Sequence, residues 1–368
     1  MAQIQFTLDS LLSLINSLNH LNPEEKKELR HNCEYAIFCF GEGWEKKEES
    51  REHPLWAFFG FSIGILQLGL LGEALKNLKN KENFHEIITR LRDKKQFEGA
   101  FNETIIGNKL FKAGIQFDFL NQRGSNKSPD ITIKFLNREI DLEITEKTLS
   151  SEYRKASINS HKIMSCLFPL PSEYVYFIQI HKPLSSSRAE EIYQRCQEMK
   201  ETVSETGYQE YHKRGIIDLY MLKREYEQKV PVENRTISAQ MPKTDEIRRL
   251  RAKIDKKSPQ LSDEKPSILI IVDNDFWPSE DAIKSNQDLR NQLEEHVCDH
   301  INISALIIVS NFVIAGYQYP EFLKEEDYYM SLLTYNPKTL FTTNKIIIFN
   351  EYSKNPLSYE ERELVKII

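Results

Sequence analysis

Three short runs between residues 115 and 145 alternate apolar and polar side chains: IQFDFL (115–120), ITIKFL (131–136) and EIDLEIT (139–145). A period of two is the signature of strands with one face on a core. The polar segment NQRGSNKSP separates the first two runs and Asn137-Arg138 the last two, so the pattern predicts a tight antiparallel meander. The stretch EGAFNETIIGNKLFKAG before it reads as a helix that stops at Gly114. Upstream, residues 1–95 carry helical spacing and no strand signal. Leu8, Leu11, Leu12, Leu14, Ile15 and Leu18 lie at helical spacing, and Asn22 with Pro23 opens a second helix that runs to Phe40. Further helices are predicted over 54–78 and about 82–93.

Downstream, EYVYFIQIHK (173–182) and GIIDLYMLK (215–223) read as strands on either side of a capped amphipathic helix, SSSRAEEIYQRCQEMKETV. KVPVENRTISAQMPK reads as a loop. DEIRRLRAKIDKKSPQL (245–261) reads as a helix with one apolar and one cationic face. ILIIVDND (268–275), ISALIIVS (303–310) and KIIIFN (345–350) are strands, with a helix around 281–299. The runs ILIIV and ALIIV are apolar on both faces, as central parallel strands are. The fold class this predicts is α/β (α+β): a core over 96–368 with a central mixed sheet flanked by helices. A helical region over 1–95 is appended to it, and an insertion lies near 184–245.

Charge and composition narrow the function. A formal net charge of -6 excludes a surface that attracts polyanions everywhere, so nucleic acid would need a local basic patch. Cys33, Cys39, Cys166, Cys196 and Cys298 are scattered and odd in number, which fits a reducing compartment better than a disulfide framework. The first residues lack the basic start and cleavage site of a secretory signal. Pro54 to Lys76 is near membrane length but holds Gln67, Glu73 and four interior glycines, so it reads as a Gly-notched packing helix. The expected setting is cytoplasmic, with no membrane partner.

The chemistry sits on the third strand of the meander. Ile140, Leu142 and Ile144 share its core face, which puts Asp141, Glu143, Thr145 and Lys147 on the other. Asp130, fixed by Pro129 at the head of the neighbouring strand, lies within reach of Glu143 or Thr145. Carboxylates brought together at neutral pH need a cation or a shared proton. Mg²⁺ (or Mn²⁺), with its preference for hard oxygen ligands, is the expected cofactor.

Ser128-Pro129-Asp130, then 12 residues, then Glu143-Ile144-Thr145 resembles the PD-(D/E)XK nuclease superfamily, the restriction-endonuclease-like fold. The resemblance covers roughly 97–147 well and 245–310 loosely. It implies a metal-dependent nuclease that hydrolyses the phosphodiester bonds of DNA, in defence or DNA processing. It further implies a metal site of Glu103, Asp130, Glu143 and the Ile144 carbonyl. The chain departs from the pattern at Thr145, where the family has the lysine that positions the attacking water. Lys147 on the same strand face, or Lys253, Lys256 or Lys257 from the 245–261 helix, are the replacements on offer. With no replacement, the chain would be a catalytically silent nuclease fold that binds nucleic acid or a protein. Arg123, Lys127, Arg249, Lys253, Lys256 and Lys257 are the expected contacts to a phosphate backbone, DNA before RNA. Residues 1–95 are the expected surface for a homodimer or protein partner. His296, Cys298 and His300 suggest zinc, but no second ligand pair stands at a suitable spacing.

Overall fold

The computed structural model describes residues 21–41, 62–120, 128–147, 151–167, 173–240, 246–273, 290–315, 330–336 and 339–368, with a few positions between 12 and 18 and between 43 and 55. It is a mixed α+β structure in two compact units, Met1–Lys147 with Ile247–Ile368, and Thr148–Glu246.

The first unit begins with four helices, α1 (Pro23–Phe40), α2 (Ser62–Leu78), α3 (Phe84–Arg92) and α4 (Phe97–Lys112). The Asn22 side chain accepts from the Glu25 N–H at 3.0 Å and the Glu25 carboxylate accepts from the Asn22 N–H at 2.6 Å, a capping box that starts α1 ahead of Pro23. Gly69 and Gly72 let α2 press against α1. A Cβ on Gly72 would stand 1.7 Å from the Asn32 carbonyl oxygen, and one on Gly69 2.3 Å from Leu29. Of the Gly-notched packing helix expected over 54–78, the part from Ser62 to Leu78 is found and 56–61 lie outside the described residues; no helix among the described residues is long and apolar enough to cross a membrane.

The meander follows as β1 (Gln116–Phe119), β2 (Ile131–Phe135) and β3 (Arg138–Glu146). After the second unit the chain returns with α7 (Glu246–Lys257), β8 (Ser267–Val272), a helix over 290–298 that we label α8, β9 (Ala305–Ala315), β10 (Met330–Asn336), β11 (Thr339–Phe349) and α9 (Tyr359–Val365). The sheet order is β1-β2-β3-β8-β9-β11-β10. β3, β8 and β9 run parallel at its centre and the flanking pairs are antiparallel. Ile140, Leu142, Ile144, Ile268 and Ile270 face one core with α1 to α4, while Leu269, Ile271, Leu306 and Ile308 face another with Leu250 and Ile254 of α7.

Two expectations change here. The helical region 1–95 is not an appendage, because Leu29, Leu68, Leu75 and Ile87 belong to the same core as the meander. The insertion starts at Thr148 and not near 184. The second unit holds α5 (Ser151–Leu167), β4 (Tyr174–Ile180), α6 (Ser186–Thr206), β5 (Tyr208–Lys213), β6 (Ile217–Lys223) and β7 (Ile237–Ala239), in a sheet of order β5-β6-β4-β7. The segment read as a loop thus supplies a three-residue strand parallel to β4.

Candidate active site

The site lies at one end of the central sheet. Asp130 precedes β2 and is pinned on three sides. Its N–H donates to the Leu142 carbonyl at 2.9 Å, and its carbonyl accepts from the Leu120 N–H at 3.1 Å. Its Oδ2 accepts from the Ile144 N–H at 2.6 Å. β3 runs on past the first residue of β2, so this carboxylate takes the place of a ladder partner for β3. Asp141 donates its N–H to the Pro266 carbonyl on the β8 side, so Ile144, three residues on, turns its peptide groups the opposite way, towards Asp130. The Ile144 carbonyl therefore faces the edge on which a metal held by Asp130 would sit.

Two more buried carboxylates approach Asp130. Glu143 is on β3, on the face that α7 covers. Its Oε1 meets Lys257 Nζ at 2.5 Å, and the same Nζ lies 3.3 Å from Gln260 Oε1. Glu103 comes from α4, where Arg90 of α3 engages both of its oxygens, Nη1 to Oε1 at 2.6 Å and Nη2 to Oε2. Burial, then the charge of Asp130, pushes the Glu103 carboxyl up to about 8 and the Glu143 carboxyl up to about 7, against the lowering pull of Arg90 and Lys257. The negative charge of Asp130 thus bears on both glutamates, and each glutamate is met by one cation, Arg90 or Lys257.

The donor set is all hard oxygen, as Mg²⁺ or Mn²⁺ requires. The fit is best for Asp130, Glu143 and the Ile144 carbonyl. Glu103 departs from its expected role as a direct ligand, because Arg90 occupies both of its oxygens. Among the described residues, no three acids of this site bring one oxygen each within 4.8 Å of one another. Mg²⁺ commonly takes only one or two carboxylates and keeps several waters, so two acids suffice.

The remaining candidates separate cleanly. Lys147 is buried in an ion pair with Asp273, 2.6 Å from Nζ to Oδ2, and this commitment removes it as the replacement for a lysine at Thr145. Thr145 is buried on β3, two residues beyond Glu143 on the same face. Asp141 accepts from Thr132 Oγ1 at 2.8 Å, which explains a buried acid without a metal. Arg249, Lys253 and Lys257 recur every fourth residue and so share one face of α7, ending at Glu143. Burial, and then Lys256 and Lys257 beside it, lowers the proton affinity of the Lys253 amine. Lys256 is exposed. Arg123 and Lys127 lie outside the described residues.

Arg90 and Asp273 were not singled out in the sequence. Each is read only through a partner 13 or 126 residues away, and neither leaves a local signal. Comparison with protein-family models, curated proteins and solved structures finds no significant match to the chain.

Proposed function

We propose that the chain is a metal-dependent phosphodiesterase acting on nucleic acid, DNA before RNA, built on a restriction-endonuclease-like core. The observation that carries this reading is Lys257. Its amine, delivered from a separate helix, stands on Glu143, while the strand position that resembles the nuclease pattern holds Thr145.

In this reading Asp130, Glu143 and the Ile144 carbonyl hold Mg²⁺ or Mn²⁺. When bound, the ion acts as a Lewis acid towards water and a phosphoryl oxygen. Lys257 orients the attacking water beside Glu143 and stabilises charge that develops on the phosphate. Arg249 and Lys253, two turns and one turn back along α7, grip the phosphate backbone on its way to the acids. Arg90 holds Glu103 beside the other acids by both of its oxygens, which keeps it from filling the site.

A second reading has a specific observation behind it. Arg90 and Lys257 already give each glutamate a cation of its own, so the site has internal partners without a metal. That arrangement suits a catalytically silent module that binds nucleic acid or a protein.

Cleavage of plasmid, linear and single-stranded DNA and of RNA with Mg²⁺ or Mn²⁺ separates the two. Cutting should fall at least about 100-fold in Asp130→Ala and Glu143→Ala, and roughly 10²–10³-fold in Lys257→Ala. Cutting that survives Asp130→Ala would move the chemistry elsewhere. No cutting by the wild type, with retained binding, would favour the silent module.

A further inference from the structure

Helix α7 carries a second polar cluster, two residues before Lys257. Asp255 Oδ1 accepts from His296 Nε2–H at 2.8 Å and from His300 Nε2–H at 3.1 Å. One ligand atom from each of the three lies within 4.8 Å of the others, and the imidazole centroids are 5.1 Å apart. His296 stands in the last turn of α8 and His300 two residues past its end, with both rings on Asp255. The His300 N–H donates to the Val297 carbonyl at 2.9 Å and closes that last turn. Val297 and Leu293 of α8 pack in the same buried cluster as Leu250 and Ile254 of α7, so the core fixes the two elements that supply the ligands.

We propose that Asp255, His296 and His300 form a Zn²⁺ site, independent of the acidic site on β3. Two imidazole Nε2 atoms that converge on one carboxylate oxygen make the N/O donor set that zinc prefers and Mg²⁺ does not. Zinc bonds of about 2.0–2.1 Å in a tetrahedron place neighbouring ligand atoms roughly 3.3 Å apart. The two Nε2-to-Oδ1 separations, 2.8 and 3.1 Å, need to open by only a few tenths of an ångström to reach that. Each Nε2 proton relocates to Nδ1 or leaves to solvent as the nitrogen becomes a ligand. The Asp255 side chain is 55% exposed and the histidines about a fifth, so water completes the fourth position. The ion would tie the last turn of α7 to α8, next to the lysine that stands on Glu143. The sequence showed the two histidines; the third ligand lies 41 residues upstream of His296 and only the fold supplies it.

The test is competition for Zn²⁺ between the full chain, freed of any affinity tag, and a chromogenic chelator in excess Mg²⁺. One equivalent should bind, with affinity reduced roughly tenfold or more in Asp255→Asn and in His300→Gln and unchanged in Glu143→Ala. Wild-type protein that takes no zinc from the chelator overturns the site. So does zinc binding that survives both variants, or that is lost in Glu143→Ala and kept in His300→Gln, which would place the ion among the acids.

Discussion

The two units treat charge in opposite ways. In the first, Glu103, Lys109, Asp130, Asp141, Glu143, Lys147, Asp273 and Lys345 are all buried. In the second, the buried polar side chains among the described residues are Asn159 and Ser160, and both are neutral. Its charges meet at the surface instead, as in Lys162 with Glu190 and Arg195 with Glu198. Taking a charge out of water costs several kcal/mol even when it is paired. Among the described residues the first unit bears this cost repeatedly and the second does not, so the first depends on how its buried charges are paired and the second on its apolar core.

Among single substitutions, the largest loss should come from breaking a deeply buried pair. Lys147→Met removes the amine that Asp273 meets at 2.6 Å and should lower unfolding stability by about 3–5 kcal/mol in urea titrations. Adding Asp273→Leu should recover most of that loss. A single variant as stable as wild type would mean that the pair is not buried in solution.

A second effect is expected from pH. Glu103 and Glu143 have native proton affinities raised to about 8 and about 7, above the unfolded value near 4.5. The native state therefore holds more protons than the unfolded state across that window. The contribution is complete below about pH 4.5 and is lost as pH rises towards 8. Thermal midpoints of the first unit should fall between pH 5 and pH 8, by roughly 2–4 °C for each kcal/mol lost. Saturating Mn²⁺, or Glu143→Gln, should flatten the slope. A midpoint that rises over this range would contradict the shared-charge account of the site.

The smallest effect belongs to the second unit. Lys162→Ala removes a half-exposed partner of Glu190 and should leave the urea midpoint nearly unchanged, the more so in high salt. A loss as large as that of Lys147→Met would erase the contrast between the units.

What the sequence reveals follows from how local each signal is. The alternation of β1 to β3 and the continuous apolar runs of β8 and β9 are visible because a strand's burial is written in neighbouring residues. Asp130 and Glu143 were legible as polar exceptions on or beside such strands. β5, YQEYHK, was missed because its residues are half-buried or exposed and no apolar face marks it. α9 was missed although Ser358 and Glu361 form a capping box that spells its start. Spacing could not show that Lys147 pairs with Asp273 and Lys257 with Glu143, because these partners lie 126 and 114 residues away.

The parallel pairing of β3 with β8 also governs when the site can form. Glu143 lies opposite Leu269, and Lys257 precedes that strand, so the acid emerges from the ribosome well before either neighbour exists. At the usual 5–20 residues per second, the interval between Glu143 and Leu269 lasts on the order of ten seconds. Closing the intervening loop costs little extra for its length, since that penalty grows only with the logarithm of loop size. During synthesis, then, β3 spends its first seconds as the open edge of a three-stranded hairpin stack. Translation order itself keeps the acids and their lysine apart until the second unit has been made.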